Sequence, residues 1–216
     1  DLWWRGINVL GDSGSYTYND PQTNWQSYFV STAAHNTVML DGLDQMVKGQ
    51  RFQWHTLLKS RFIDRRQSDG IEIWQGEHYG YRRLPSHATC RRTICRILDH
   101  HWVIIDDILG RGAEQVALYW QLADYPITPN DNGYVLHTAP GPVSIAVFAS
   151  CDAGHPALAH GEQGDRRLGW QSLFYGRKVP RPTLYFDETC ALPLRLVTLI
   201  SLGQDVKQVD YSPSAL

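Results

Sequence analysis

The sequence predicts an all-β protein, a large antiparallel β-sandwich of stacked sheets. Three observations predict it. Short apolar or alternating runs recur at regular spacing along the 216 residues. Clusters of turn-forming residues separate them, at Gly110-Arg111-Gly112, in "PNDNG" and in "APGP". No stretch sustains the 3.6-residue period of a helix over three turns.

Each element follows in order. "LWWRGINVL" reads as strand with a break at Gly6. "NWQSYFVSTAA" holds the one candidate short helix. His35 opens the strand "HNTVML", which stops at the turn "LDGLD". "GIEIWQGEHYGYRRL" alternates through Ile71, Ile73 and Gln75. "ATCRRTICRIL" and "HWVIIDDIL" predict a hairpin around Asp99 and His100. The strands "EQVALYWQL", "GYVLHT", "PVSIAVFAS", "PTLYF" and "LPLRLVTLIS" complete the set, and Asp152 to Ser172 reads as a long surface loop.

Length fits one domain over residues 1–216. Hydrophobic residues at 43% against charged ones at 19% supply a core and exclude a disordered chain. The eight Trp and eleven Tyr suit packing in strands and stacking on sugars. A net charge of −2 offers no global field for nucleic acid, which is not an expected partner. No membrane span or signal peptide is visible. The chain opens on Asp1 and not on Met, so its natural N-terminus is expected to be cut away. Arginines pair at Arg65-Arg66, Arg82-Arg83, Arg91-Arg92 and Arg166-Arg167. Neighbours on a strand point to opposite faces, so one of each pair can serve a groove. Cys90 and Cys95 lie five apart, face opposite sides of one strand and cannot bridge. With no Cys-x-x-Cys pattern, all four cysteines, Cys151 and Cys190 included, read as buried thiols.

Two polar clusters carry candidate chemistry. In "GDSGSYTYND", Asp12 sits in a tight Gly/Ser turn, as a turn-forming residue or as a carboxylate facing a cleft. His35 follows the small residues Ser31 to Ala34 and is either a satisfied histidine or a ligand. Asp and His are common zinc ligands, but a site needs a third, and His55, His78 and His87 lack diagnostic spacing. Asn36 orients the turn. Tyr16 and Tyr18 share a face if their stretch is extended. His78 and Tyr81 form the second cluster, where Gly76 and Gly80 mark a bulge, a close backbone approach to a ligand, or a twisted edge strand.

"GDSGSYTYND", "YFVSTAAHNTVMLDGLDQ", "GEHYGYRRL", "RRTICRILDHHWVIIDDILGRG" and "GWQSLFYGRKVPRPTL" together resemble the C-terminal β-domain of the heparinase II/III-like polysaccharide lyases. "TAAHNTVMLDGLDQ" is the most specific piece. The resemblance implies an N-terminal α/α toroid, absent from this chain, with the substrate groove between toroid and sandwich. It implies Asp12 and His35 as zinc ligands, with a third, a His, upstream of Asp1. It places Tyr16 and Tyr18 loosely in the groove, and the catalytic Tyr, Asn and His in the toroid. The expected reaction is β-elimination on a uronic acid polysaccharide, of heparan, alginate or bacterial exopolysaccharide type. The expected substrate contacts are Tyr16, Tyr18, His78, Tyr81 and Arg82, with Arg82 or Arg83 turned to the groove. The expected compartment is periplasmic or secreted. The alternative is a stand-alone carbohydrate-binding or structural sandwich without turnover.

Overall fold

The computed structural model of the protein describes residues 1–19, 24–50, 52–131, 133–163 and 167–203. The chain opens with a hairpin of β1 (Leu2–Trp4) and β2 (Ile7–Leu10), turned at Arg5 and Gly6. Then come α1 (Trp25–Phe29), a single 3-10 turn (Thr32–Ala34) and β3 (Val38–Leu40). A short pair, β4 (Val47–Lys48) and β5 (Trp54–His55), precedes the meander β6 (Ser60–Ser68), β7 (Ile71–His78), β8 (Thr89–Ile97) and β9 (His101–Leu109). β10 (Ala113–Gln121), β11 (Ile127–Asn130), β12 (Gly133–Thr138), β13 (Gly141–Ala149) and β14 (Ala157–His160) follow. β15 (Trp170–Phe174), β16 (Arg177–Pro180), β17 (Pro182–Ala191) and β18 (Leu194–Leu202) end the described chain.

Eight strands form one antiparallel sheet in the order β11-β12-β13-β18-β9-β8-β7-β6, and four form a second, β14-β17-β10-β3. The main core lies between them, as the all-β sandwich reading requires. Ile104 and Ile108 of β9 and Leu194, Leu196 and Ile200 of β18 meet Val116, Leu118 and Trp120 of β10 and Leu184 and Phe186 of β17. The buried Trp120 Nε1 donates to Thr198 Oγ1 across the two sheets at 3.1 Å. β10 does not alternate in its sequence because it is buried on both sides. Val116, Leu118 and Trp120 face the large sheet, while Ala117 and Tyr119 pack under α1 with Trp25, Tyr28, Phe29 and Trp170.

The predicted short helix and the hairpin around Asp99 and His100 are present. Other expectations are corrected. The strand after His35 starts only at Val38, because the 3-10 turn hands the chain to a bend first. The stretch Asp152 to Ser172 is not all loop. "ALAH" pairs with Pro182–Tyr185 as β14, an edge strand too short to show a period. Gly164 to Arg166 of that stretch, and Asn132 of "PNDNG", lie outside the described residues. β7 is not an edge strand, since β6 covers it. The bulge lies in β6 between Phe62 and Asp64, opposite Gly76. Cys90 and Cys95 are free thiols, as their spacing requires, but Cys151 and Cys190 form a disulfide. Sequence separation hides that pair. It exists because the end of β13 in one sheet meets β17 of the other, with a Cα–Cα distance of 6.4 Å.

Candidate functional site

Asp12 and His35 come together. β2 ends against β10, where the Gly11 amide donates to the Gln121 carbonyl at 3.1 Å. The next residues turn sharply, and the Gly14 amide donates to Asp12 Oδ1 at 2.7 Å. Gly14 is required there. Its φ is +80°, and a Cβ would fall 1.9 Å from the Ser172 carbonyl. His35 leaves the 3-10 turn with its Nδ1 2.7 Å from Asp12 Oδ2. Asn36 stitches the two loops together. Its Nδ2 donates to the Gly11 carbonyl at 3.1 Å, and its Oδ1 accepts the Gln121 amide at 2.6 Å.

Two arginines hold this arrangement, Arg181, which the sequence did not single out, and Arg92, which it marked only as one of a pair. Arg181, only 3% exposed, donates to the carbonyls of Asp12, Gln121 and Leu122. Burial pushes its guanidinium down to about 10, opposed by the charges of Asp12 and Asp124, so it stays charged at neutral pH. Arg92 makes a two-point ion pair with the buried Asp106, at 2.7 and 2.9 Å, and donates to the Asn36 carbonyl at 2.6 Å. Burial opposes ionisation of Asp12. The His35 hydrogen bond, the Gly14 amide and the charges of His35 and Arg181 outweigh it and hold the carboxyl below its ordinary value.

His35 opens on a cleft of about 340 Å³ walled by Thr32, Thr37, Gln45, Met46 and Trp54. That wall is braced. Gln45 is bonded to both threonine hydroxyls at 3.1 Å, and the Thr32 amide donates to Asp44 Oδ1 at 2.6 Å. Arg83 grips the carbonyls of Asp44, Gln45 and Gly80 from behind.

The remaining predicted site residues scatter. Tyr16 takes a positive φ of 57°, so its stretch is not extended and it shares no strand face with Tyr18. Tyr16 packs on Trp25 and Phe29, with Lys178 Nζ over its ring at 5.4 Å. Tyr18 is 56% exposed and meets Phe52 and Tyr175 at centroid distances of 5.5 and 5.6 Å. Tyr81 is fully buried, and its hydroxyl donates to the Val38 and Leu43 carbonyls. It therefore braces the turn after β3 and reaches no cleft. Arg82 and Arg83 sit in a turn, where the alternation of a strand does not apply. Arg82 lies over the Tyr79 ring at 3.9 Å and bonds Thr89 Oγ1 at 3.0 Å, its side chain at the surface. Arg91 and Arg92 do split by face, to Glu77 and to Asp106. Arg166 lies outside the described residues.

His78 lies in a second cleft. Burial, reinforced by the Arg92 charge and opposed by Asp106, pushes its imidazole down to about 4 from the ordinary 6.5. Its neutral form thus supports the fold fully above pH 6.5. The support fades as the pH falls towards 4, because the unfolded chain takes up a proton that the folded one resists. Acid titration of stability is expected to lose about 3 kcal/mol across that window. The His78→Gln variant should lose that much less over the same range. An unchanged slope in the variant would show that other groups carry the pH dependence.

A carboxylate and an imidazole in contact at an open mouth fit two positions of a tetrahedral zinc site. Between such donors sits either a proton or a cation. Among the described residues no third His, Cys, Asp or Glu completes a set.

The stacked sheets, with a polar site where β2 and β3 meet the end of β10, define an antiparallel sandwich domain. The model of the heparinase II/III-like family, C-terminal, matches residues 1–189, and the chain belongs to that family. A heparin-sulfate lyase of Bacteroides stercoris is 28% identical over 130 residues, which are 56% of this chain and 16% of that protein. Heparan sulfate lyase HepC from Pedobacter heparinus superposes with a TM-score of 0.74 at 17% identity, over 95% of this chain and 30% of the other. A heparinase III, the BT4657 gene product, gives 0.72 at 20% identity, over 95% and 29%. The chain thus spans less than a third of the length of each of these relatives. Family membership sets it in a polysaccharide lyase context.

Proposed function

We propose that the chain is the β-sandwich part of a longer lyase that cleaves uronic-acid polysaccharide by β-elimination, and that alone it does not turn over. The observation that carries this reading is the Asp12–His35 contact at 2.7 Å, at the two positions where family resemblance implies zinc ligands. In such a reaction a base removes the proton next to the uronate carboxylate. Donors neutralise the carboxylate charge as it spreads, and a phenol protonates the leaving oxygen. Those acid and base groups belong to the N-terminal toroid of the longer protein, so no residue of this chain is given a proton-transfer role.

This chain supplies a groove wall. A zinc held by Asp12, His35 and a histidine upstream of Asp1 supplies a fixed positive charge between the two loops. Asn36, Arg181 and Arg92 keep those loops in place with or without it. Tyr18 and Arg82 are exposed and available to an acidic polymer. The disulfide supports an oxidising compartment, periplasmic or secreted.

Two measurements on the full-length protein test this. His35→Ala is expected to lower bound zinc from about one per chain to nearly none. Unchanged metal content would remove His35 from the site. Uronate polymers should yield unsaturated products, read by their ultraviolet absorbance. A metal-loaded, folded protein that binds heparan, alginate and exopolysaccharide but releases no such product would leave carbohydrate binding without turnover.

A further inference from the structure

Behind the braced wall of the His35 cleft lies a smaller cleft of about 250 Å³. Lys59, just before β6, lines it together with Tyr79, Arg82 and Arg83, which belong to the turn between β7 and β8. The two clefts share one wall. Arg83 holds the carbonyls of Asp44 and Gln45, and the same two residues line the His35 cleft. Among the described residues, three cations line the smaller cleft and no carboxylate does.

The neighbouring carboxylates do not balance these cations. Asp44 gives Arg83 only its carbonyl and turns its carboxylate to the Thr32 amide, at 2.6 Å. Glu77 lies on the far side of Tyr79, whose hydroxyl donates to it at 2.6 Å. Arg61 at 3.0 Å and Arg91 at 2.9 Å already share that carboxylate, so it has no charge to spare. The three cations are also held differently. Arg83 spends its nitrogens on the carbonyls of Asp44, Gln45 and Gly80, which are neutral, so it fixes the wall and keeps its charge. Arg82 lies over the Tyr79 ring at 3.9 Å and gives only its Nε, to Thr89 Oγ1 at 3.0 Å. Its two terminal nitrogens and Lys59 Nζ have no partner among the described residues.

A guanidinium already placed by a ring and a hydroxyl loses little freedom when a ligand arrives. Its two free nitrogens form the fork that matches the paired oxygens of a carboxylate or sulfate. Lys59 adds a point charge on a movable stem. The cleft is smaller than the ~300 Å³ at which sites for drug-sized ligands begin. It therefore takes one charged group and leaves the rest of a polymer at the surface, where Leu57, 80% exposed, stands at the rim. We propose that Lys59, Arg82 and Arg83 form an anion subsite for one carboxylate or sulfate of an acidic polysaccharide, one wall away from the Asp12–His35 mouth. The subsite anchors the polymer and takes no part in proton transfer. The proposal deepens the polysaccharide reading and rests on it for the source of the anion.

The test uses the full-length protein with a galacturonate trimer, a mannuronate trimer and a heparin tetrasaccharide as acidic probes, and an N-acetylglucosamine trimer as the neutral one. Binding is read by calorimetry at fixed ionic strength. The variants are Lys59→Gln, which removes a charge that holds nothing else among the described residues, and the double Lys59→Gln/Arg82→Gln. Arg5→Gln, beside the Pro140 carbonyl, controls for lost charge alone. At least one acidic probe is expected to bind more tightly than the neutral one. The single variant should weaken it about threefold and the double about tenfold or more. The control should bind as the parent does. A loss confined to heparin assigns the cleft to sulfate, and a loss shared with the uronates assigns it to carboxylate; both support the proposal. Acidic probes that do not bind overturn it. So does binding that Lys59→Gln and the double variant leave unchanged, or a control that loses as much as the double. If the double variant does not fold, the single one decides. Unsaturated product is scored separately. Its absence, with binding that still depends on Lys59, sinks the lyase reading and leaves the cleft standing. The reverse pattern sinks the cleft alone.

Discussion

Arg92→Met is expected to destabilise the protein by about 3–5 kcal/mol, because it strands a buried carboxylate. Asp106 is 5% exposed, and Arg92 meets both of its oxygens across neighbouring strands. Arg92 also holds the Asn36 carbonyl and lies over the Trp120 ring at 5.0 Å. Met preserves much of the volume, so the loss reports charge and hydrogen bonding more than a cavity. Urea unfolding should show a lower midpoint with an unchanged slope. The double variant Arg92→Met/Asp106→Leu should recover most of the loss, since a matched apolar pair needs no desolvation of charge. A double variant as unstable as the single one would place the cost in the Asn36 contact. The zinc proposed above would separate these cases, because Asn36 follows His35 on the same loop.

Removal of the Cys151–Cys190 disulfide should cost about 4 kcal/mol, the chain-entropy value for a loop of this size. The two cysteines are 39 residues apart in sequence. Opening the bond frees a long segment in the unfolded ensemble. It also removes the covalent tie between the end of β13 and β17, which belong to different sheets. The Cys151→Ala/Cys190→Ala variant and the reduced parent should unfold at similar denaturant concentrations. Cys95→Ala is the control, since that thiol is unbonded and only half-buried. A loss below about 1 kcal/mol would mean that core packing alone sets the relation of the two sheets.

The strands of the large sheet were legible because one side of each meets the core. β9 and most of β18 alternate in burial, although their sequences, HWVIIDDIL and LRLVTLISL, read only as apolar runs. β10 was legible as a strand but not as a two-sided one, since Tyr119 is buried by distant elements, α1 together with Leu168 and Trp170. Asp12 and His35 stand 23 residues apart on different loops. Spacing could not join them, and only resemblance to a family did. Arg181 left no signal, and Arg92 was marked only as one of a pair, for a different reason. Their partners are carbonyls and carboxylates brought close by strand pairing, which no local pattern encodes. The phenol of Tyr81 misleads in the opposite sense. Its polar atom suggested a surface role, whereas two buried carbonyls use it. The disulfide belongs to the same group, because its geometry exists only once both sheets are stacked.

The two ends of the eight-stranded sheet carry one more consequence. An open sheet edge offers unpaired amides and carbonyls to any passing strand, and so invites aggregation. β6, at one end, carries Arg61, Asp64, Arg65 and Arg66 and bends at its bulge. β11, at the other, contains Pro129, which has no amide to give. Both devices make a ninth strand unwelcome. With such ends, the eight-stranded sheet is a poor template for pairing with a second copy.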